Sequence, residues 1–315
     1  MKYRKKLKII YHILIMKCAR KLTTIRPHPE YQYLNLIRNI INNGDEISGR
    51  NGKIKSVFGN TMKFSLKNNT IPILTTKKMA WKTCLKELFW FIDGNTDNKS
   101  LKKENVTIWN KNASRQFLDS RNLNYREDDL GPVYGHQWRF FNAEYDSCES
   151  SYENKGVDQL QNIIDKLQHP EEKYSRRLIM SAWNPCQLNE MALPPCHVLS
   201  QFSVNSKNEL SCALYQRSGD MGLGIPFNIA SYSFLTHILA KHCGLKPKEF
   251  IHFIGDAHIY DAHQKALEIQ ILHEPYNFPK IEINQKHENI NNYSISDINI
   301  YNYKHHKNIK MEMFE

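Results

Sequence analysis

The sequence has no pair of cysteines at the C-x-x-C spacing, and its seven cysteines are an odd number scattered along 315 residues. This pattern argues against a disulfide framework and against a zinc site, and it favours a reducing, cytoplasmic compartment. The chain also lacks any run of the roughly 20 apolar residues that a membrane-spanning helix needs. The apolar stretch 9–16 is short and no small-residue cleavage site follows it, so we expect no secretory signal.

Acidic residues are absent from positions 1–26, which carry nine Lys or Arg residues. Subtracting these nine from the net charge of +11 leaves about +2 for the rest of the chain. The basic charge therefore belongs to an N-terminal arm, residues 1–27, which we expect to be flexible and which is a candidate for weak binding to RNA or another acidic surface. Residues 28–315 contain no repeat or interior linker and are interpreted as a single domain.

A predicted β-hairpin brings a cysteine close to a charged cluster. Cys196 follows two prolines, and the pattern of residues 198–215 predicts two strands joined by a polar turn. The Arg-Ser-Gly-Asp cluster at 217–220 should therefore lie at the same end of the hairpin as the thiol. Most single cysteines are small buried hydrophobes, and such a cluster is often a solvated turn. Because a guanidinium can lower the pKa of a thiol and bind an anion, their convergence favours a site.

Two other features allow both a structural and a functional interpretation. Glu87 lies within a predicted apolar helix at 81–92, where it is either exposed on the far face or a carboxylate at a cleft. The residues alone favour the exposed position. Arg176 and Arg177 precede a predicted strand, where they form either a solvated pair or a clamp for phosphate.

Elsewhere the patterns predict ordinary elements and no metal site. They predict two short strands at 57–58 and 62–66, a helix at 156–168, a helix at 230–242 opened by residue 226, and a strand at 250–254 followed by a turn at 255–260. His258 and His263 are five residues apart, so they do not share a helix face as metal-binding histidines four apart do. His197 adjoins Cys196 on a predicted strand and faces the other way, which argues against a cysteine hydrolase.

Seven segments in order carry a resemblance that covers about residues 29–315. These are ILTTK at 73–77, WFI at 90–92, SRQFLD at 114–119, LGPVYG at 130–135, MALPPCH at 191–197, YQRSGD at 215–220 and GDAHIY at 255–260. In these motifs the chain resembles the thymidylate synthase family. The resemblance implies an α+β fold with a mixed β-sheet flanked by helices, and a homodimer formed by sheet-against-sheet packing.

The resemblance also implies the reaction. The family converts dUMP to dTMP by reductive methylation, with 5,10-methylenetetrahydrofolate as the donor of carbon and hydride and dihydrofolate as the second product. The nucleophile would be Cys196, which adds to C6 of the uracil ring, and no metal is required. The implied catalytic residues are Cys196, Glu87, Tyr134, Asn228, Asp220 and Arg217.

The ligand contacts implied by the resemblance form two sets. Those for dUMP are Arg50, Arg176, Arg177, His197, Gln216, Arg217, Ser218, Gly219, Asp220, Asn228, His258 and Tyr260, with Arg176 and Arg177 supplied across the dimer interface. Those for the folate are Ile108, Trp109, Asn112, Asp220, Leu223, Gly224, Phe227 and Met311.

Two alternatives accompany this interpretation, and the chain departs from the family pattern at the loop 50–55, at Cys186, where little effect is expected, and at the tail. A hydroxymethylase acting on dCMP would use the same cysteine, but Asn228 suits uracil better, since its amide can donate to O4 and accept from N3–H. A non-catalytic nucleotide- or RNA-binding relative is the other alternative. The loop at 50–55 is one residue shorter than the family's phosphate loop and lacks its second glycine, and Arg50 is the best candidate for the loop arginine. The bulky, charged tail Phe314–Glu315 could slow closure over the folate.

Overall fold

A computed structural model of the chain describes residues 27–49 and 52–313, which form an α+β fold with a mixed sheet flanked by helices. The expectations about the arm at 1–26, about Arg50 and about the tail residues Phe314 and Glu315 lie outside the described residues. Within those residues, no helix is long and apolar enough to cross a membrane.

The helices of the described chain vary in length from one and a half to five turns. They are α1 (Tyr31–Asn43), α2 (Trp81–Ile92), α3 (Asn98–Lys103), α4 (Arg115–Ser120), α5 (Tyr134–Phe140), α6 (Gln159–Gln168), α7 (Gly224–His242) and α8 (Asp261–Gln270). Helix α6, which was predicted to begin at residue 156, begins at Gln159. Asp158 is its N-cap, and a side-chain oxygen of Asp158 accepts from the Gln161 N–H. Helix α7 begins two residues before Pro226.

The strands form one large sheet and one small one. They are β1 (Asp45–Gly49), β2 (Gly52–Ser65), β3 (Ile179–Ser181), β4 (His197–Val204), β5 (Glu209–Asp220), β6 (Lys246–Tyr260), β7 (Lys280–Ile283) and β8 (Ile298–Tyr301). The large sheet has the order β1-β2-β6-β5-β4-β3, and β7 pairs with β8. Strands β5 and β6 are parallel, whereas the other neighbours are antiparallel.

The predicted hairpin around the cysteine is confirmed, but two local predictions are wrong. The segment 255–260 is the last part of strand β6 rather than a turn, and the two short strands at 57–58 and 62–66 are one continuous strand, β2. Strand β6 pairs on one side with β2 and on the other with β5. These long-range pairings satisfy the backbone groups of the glycine-containing segments, so tertiary structure overrides their local preference for a turn.

The fold gathers several chain ends at one edge of the large sheet. Because β5 and β6 are parallel, their carboxyl ends meet at this edge, where helix α7 begins. Helix α7 is buried along most of its length, and α2 packs beside it, with the Cys84 thiol 3.4 Å from the Phe227 carbonyl oxygen. This arrangement places the middle of α2 against the start of α7.

The face of the large sheet that points away from helix α7 carries exposed aromatic side chains. Tyr215 and Phe253 are 40% and 44% exposed. Tyr215 and Phe253 are directly paired across β5 and β6. Within residues 27–49 and 52–313, this face of the sheet therefore presents exposed apolar surface.

Candidate active site

A cavity of about 480 Å³ lies at the edge where β5, β6 and α7 meet. It collects most of the site residues expected from the sequence. They are Glu87, Ile108, Trp109, Asn112, Tyr134, Cys196, His197, Gln216, Arg217, Ser218, Gly219, Asp220, Leu223, Gly224, Phe227, Asn228, His258 and Tyr260. Gly219 is the residue that close packing demands here, because a Cβ atom would lie 2.3 Å from Cδ1 of Ile225.

Some expected residues lie elsewhere, and the cavity has further lining residues that the sequence did not suggest. Arg176 and Arg177 are exposed outside the cavity, and Met311 packs against the core without lining it. The additional lining residues are Phe91, Lys111, Leu193 and Met313. Phe91 has a sequence signal, since it follows Glu87 by four residues on the same helix face. Met313 has no such sequence signal, because it lies close to the C-terminal end of the chain, far in sequence from the other lining residues.

Cys196 is held by hydrogen bonds on both sides of its backbone. Its N–H donates to the hydroxyl oxygen of Tyr134 across 2.8 Å, and its carbonyl accepts from the Arg217 N–H across 2.9 Å. The Arg217 guanidinium donates to the carbonyl oxygens of Pro194 and Pro195, both at 2.9 Å. The hairpin register and the two prolines thus fix the thiol beside the guanidinium.

The electrostatic balance at Cys196 favours the thiol. Burial raises the pKa of Cys196, and the positive charge of Arg217 offsets this only in part. The guanidinium therefore acts in the expected direction, but desolvation outweighs it.

Glu87 lies in the cavity rather than on the exposed face of α2. It is 8% exposed, and its Oε1 accepts a hydrogen bond from Nε1 of Trp109 across 2.8 Å. Burial raises the pKa of Glu87 to about 7, with the Trp109 hydrogen bond acting in the opposite direction. Both protonation states of this carboxyl are accessible near neutral pH, which suits a proton-transfer group.

Neutral polar groups form another part of the wall. Burial lowers the pKa of His197 to about 4, although a hydrogen bond with Asn228 favours the charged form. The Gln216 amide donates to the Ser218 carbonyl oxygen across 2.9 Å and accepts from Nε2 of His252 across 2.8 Å. The cavity wall therefore presents the uncharged imidazole of His197 and the amides of Gln216 and Asn228.

The carboxylate of Asp220 is bound by its own loop. Its two oxygens accept from the N–H groups of Gly222 and Leu223, each across 2.8 Å. Burial alone would raise the pKa of Asp220, but contacts with His263 and with these N–H groups outweigh it and lower the pKa. A permanent negative charge therefore stands at the start of α7.

The histidines of the last segment have separate partners. Nδ1 of His258 lies 2.8 Å from Oδ1 of Asp256, whereas Nδ1 of His263 lies 3.3 Å from Oδ1 of Asp220. In the part of the chain that the structure describes, no group of three His, Cys, Asp or Glu side chains is arranged to hold a metal ion.

One cavity thus holds a partly buried thiol, a carboxyl with a pKa near neutrality and a fixed amide. This combination defines a class of enzymes that use a cysteine nucleophile with separate proton transfer. The family model described as thymidylate synthase matches residues 31–315. The human thymidylate synthase is 52% identical over 290 residues, which are 91% of this chain and 91% of the human protein. The chain belongs to the thymidylate synthase family.

Other relatives place this domain in two contexts. Thymidylate synthase 1/2 of Encephalitozoon cuniculi is 49% identical over 91% of this chain and 97% of its own length. The bifunctional dihydrofolate reductase-thymidylate synthase of Plasmodium chabaudi is 49% identical over 91% of this chain but only 49% of its own length. The chain therefore spans about half the length of the bifunctional relatives that it matches.

Proposed function

We propose that the chain catalyses the reductive methylation of dUMP to dTMP, with 5,10-methylenetetrahydrofolate as co-substrate and dihydrofolate as the second product. The observation that carries the proposal is the convergence of Cys196, Glu87 and Asn228 on one cavity in a member of this family. The family match from residue 31 supports residues 28–315 as the catalytic domain.

Cys196 would activate the pyrimidine. Its sulfur would donate an electron pair to C6 of the uracil ring while the ring's π electrons move toward O4, which turns C5 into a nucleophile. The thiol proton must leave as this bond forms, because the free protein favours the protonated sulfur. An anionic nucleotide held by Arg217 and Ser218 would bring the ring to the thiol.

Glu87 and Tyr134 would move protons at the ring. A carboxyl with a pKa of about 7 can give up and take back a proton during one turnover at neutral pH. The Tyr134 hydroxyl oxygen already accepts from the Cys196 N–H, so its own O–H can donate elsewhere in the cavity.

The wall at the mouth of the cavity fits the co-substrate, which would supply the one-carbon unit and the hydride. Trp109, Leu223 and Phe227 offer apolar surface for a flat heterocycle, and the carboxylate of Asp220 can accept from ring N–H groups. The buried Nδ2 of Asn112 has no hydrogen-bond partner among the described residues. A polar group of the ligand would satisfy it.

A homodimer would complete the site. The exposed aromatic sheet face around Tyr215 and Phe253 is suited to packing against a second copy, since large exposed apolar patches mark interfaces. Arg176 and Arg177, which do not reach their own cavity, would then contact the phosphate in the partner's cavity. Arg50 would bind the same phosphate from its own subunit.

The decisive assay measures dihydrofolate formation with dUMP, with dCMP as the matched nucleotide control. We expect turnover with dUMP alone, because the Asn228 amide suits uracil, and loss of turnover in Cys196→Ala. No turnover by a folded protein that binds dUMP would overturn the proposed activity. A hydroxymethylase adds the one-carbon unit and water without oxidising the folate, so formation of hydroxymethyl-dCMP and tetrahydrofolate, detected by mass spectrometry in place of dihydrofolate, would favour that alternative.

A mixing experiment tests the shared site. The double variant Arg176→Ala, Arg177→Ala and the variant Cys196→Ala should each be nearly inactive as pure proteins. After equal amounts are mixed and the subunits have exchanged, half of the dimers should be heterodimers. One of the two sites in each heterodimer has both an intact cysteine and intact arginines, so activity should return in about a quarter of all sites. No recovery despite proven exchange would place the arginines in their own subunit's site or outside it.

A further inference from the structure

His263 connects the cavity wall to the C-terminal segment of the chain. Its side chain is 1% exposed, with Nδ1 3.3 Å from Oδ1 of Asp220 and Nε2 2.6 Å from the carbonyl oxygen of Glu312. The next residue, Met313, lines the cavity, and Met311 lies on the other side of Glu312. One imidazole ring therefore lies between a charged residue of the cavity and the backbone of the tail.

The two contacts of this ring require two donors. A carbonyl oxygen accepts and cannot donate, and the same holds for an ionised carboxylate. A neutral imidazole has one N–H, so it can make one of the two hydrogen bonds, whereas the imidazolium makes both. The geometry thus selects the doubly protonated form of His263.

The charged and titratable groups around the ring favour that form on balance. Burial lowers the pKa of His263, but Asp220 and the Glu312 carbonyl raise it more strongly, so that the net effect is a raised pKa. Lys77, which donates to the Gly222 carbonyl, opposes this with its positive charge. The rings of Tyr260 and His263 are nearly perpendicular, with their centroids 5.6 Å apart.

Two further groups lie behind Asp220 and Lys77. The Tyr33 hydroxyl donates to the Met221 carbonyl across 2.6 Å, and the carboxylate of Glu30 interacts with Lys77 through its charge. These groups belong to the polar surroundings of the Asp220–His263 pair among the described residues.

Packing leaves the ring little freedom to move. A Cβ atom at Gly222 would lie 2.5 Å from Nδ1 of His263 and 3.0 Å from the sulfur of Met311. A glycine at this position allows the loop, the ring and the tail to approach one another. A change in the hydrogen bond from His263 to the Glu312 carbonyl should therefore alter the surroundings of the neighbouring Met311 and Met313.

We propose that His263 is a positioning residue that, in its doubly protonated form, holds the C-terminal tail against the cavity through Glu312 while it binds Asp220. The inference rests on the proposed function for its catalytic consequence, since Asp220 and Met313 border the folate end of the cavity. When the ring loses a proton, the remaining N–H stays with the carboxylate, because charge-assisted hydrogen bonds are the stronger ones. The tail contact is the one that is lost.

The contact between His263 and the tail depends on pH, because deprotonation of the ring removes the hydrogen bond to Glu312 first. The pKa of His263 is raised above its ordinary value of 6.5, so the tail is held at and below that pH and is released as the pH rises through the raised value. Loss of one hydrogen bond corresponds to a factor of about 3 to 10 in an equilibrium constant. The KM for the folate should rise by about that factor across the transition, with a smaller change in kcat.

The test follows the tail itself in the full-length protein without ligands. Protein labelled with ¹³C in the methionine methyl groups is titrated from pH 6 to 9 by NMR, with Met311 and Met313 assigned by Met→Leu substitution. In the wild type both signals should move with the midpoint at which the His263 ring proton titrates. His287→Gln removes another His–Asp pair, to Asp297, and should leave that titration unchanged.

Two substitutions of His263 separate its two bonds. The amide nitrogen in His263→Gln reaches the position of Nε2, so the tail signals should stay at their low-pH positions throughout. The amide nitrogen in His263→Asn reaches only the position of Nδ1, so the Met311 and Met313 signals should stay at their high-pH positions.

The inference is overturned if the Met311 and Met313 signals of the wild type do not titrate, or if they titrate equally in both variants. The NMR measurement needs no substrate. A protein without turnover on dUMP would therefore contradict the proposed function while leaving the test of His263 intact.

Discussion

The indole Nε1 of Trp109 donates a hydrogen bond to Oε1 of Glu87 across 2.8 Å inside the cavity. The donor stabilises the ionised carboxylate, whereas burial stabilises the protonated acid, and the two influences leave the pKa of Glu87 at about 7. Trp109 thus both forms part of the apolar wall and tunes the proton affinity of the carboxyl group beside it.

Replacement of this donor should move the pH dependence of turnover. In Trp109→Phe the carboxylate loses its hydrogen bond, so the pKa of Glu87 should rise and the limb of the kcat/KM profile near pH 7 should move upward by about one pH unit. Trp90→Phe is the matched control, because its indole donates to the backbone of Asp97 instead. A profile that stays in place in Trp109→Phe would mean that Glu87 does not control this limb.

Cys196 should be a slow nucleophile in the free protein. Burial raises the pKa of its thiol, so the rate of its alkylation by iodoacetamide, followed by peptide mass spectrometry, should still be increasing above pH 9. Arg217→Gln should shift this curve to higher pH, because the positive charge that favours the thiolate is removed. The exposed Cys186 provides an internal reference. Half-maximal alkylation of Cys196 below pH 8 would contradict the predicted direction.

Glu30 should be a strong determinant of stability. Its fully buried carboxylate accepts from the N–H and hydroxyl groups of Thr75 and Thr76, at distances of 2.6 to 3.0 Å. Glu30→Gln places an NH₂ group against these donors and should lower the free energy of unfolding in urea by about 2 to 4 kcal/mol. Glu46→Gln, at an exposed salt bridge with Lys55, should change it by less than about 0.5 kcal/mol. If both variants lowered the free energy of unfolding by the same amount at the same protein concentration, the stabilising role of Glu30 would be refuted.

The apolar sheet face should control assembly. Phe253→Glu puts a charge beside Tyr215 on the exposed sheet face, so the variant should sediment as a monomer at concentrations at which we expect the wild type to be a dimer. Tyr276→Glu changes an aromatic residue of similar exposure, 40%, that lies outside the large sheet, and should leave the sedimentation coefficient unchanged. A wild-type monomer would remove the basis for a shared site.

The sequence was informative where local patterns agree with the fold. The helix at 81–92 and the hairpin that carries Cys196 have clear periodicity and turn residues, and both were predicted correctly. The orientation of Glu87 was not predictable in this way. Helix α2 is apolar on most of its surface, so only the packing of α7 and of the loop at Trp109 decides which side borders a cavity.

Other parts of the site depend on contacts between distant residues. The segment 255–260 has the glycine and aspartate of a turn, yet pairing with β2 and β5 makes it a strand. Lys111 and Met313 line the same cavity from segments about 200 residues apart, with 3.5 Å between the lysine Nζ and the methionine carbonyl oxygen. No local pattern reports such a contact, and the resemblance pointed to Met311 instead.

Strand β6 carries the exposed Phe253, the buried Phe250 and the cavity residues His258 and Tyr260 within one strand. Neighbouring side chains on a strand face opposite ways, so a single inserted or deleted codon between Phe250 and His258 would exchange the two faces for every residue on one side of the change. Length variation should therefore be tolerated in the turn at 205–208 and be absent from this strand.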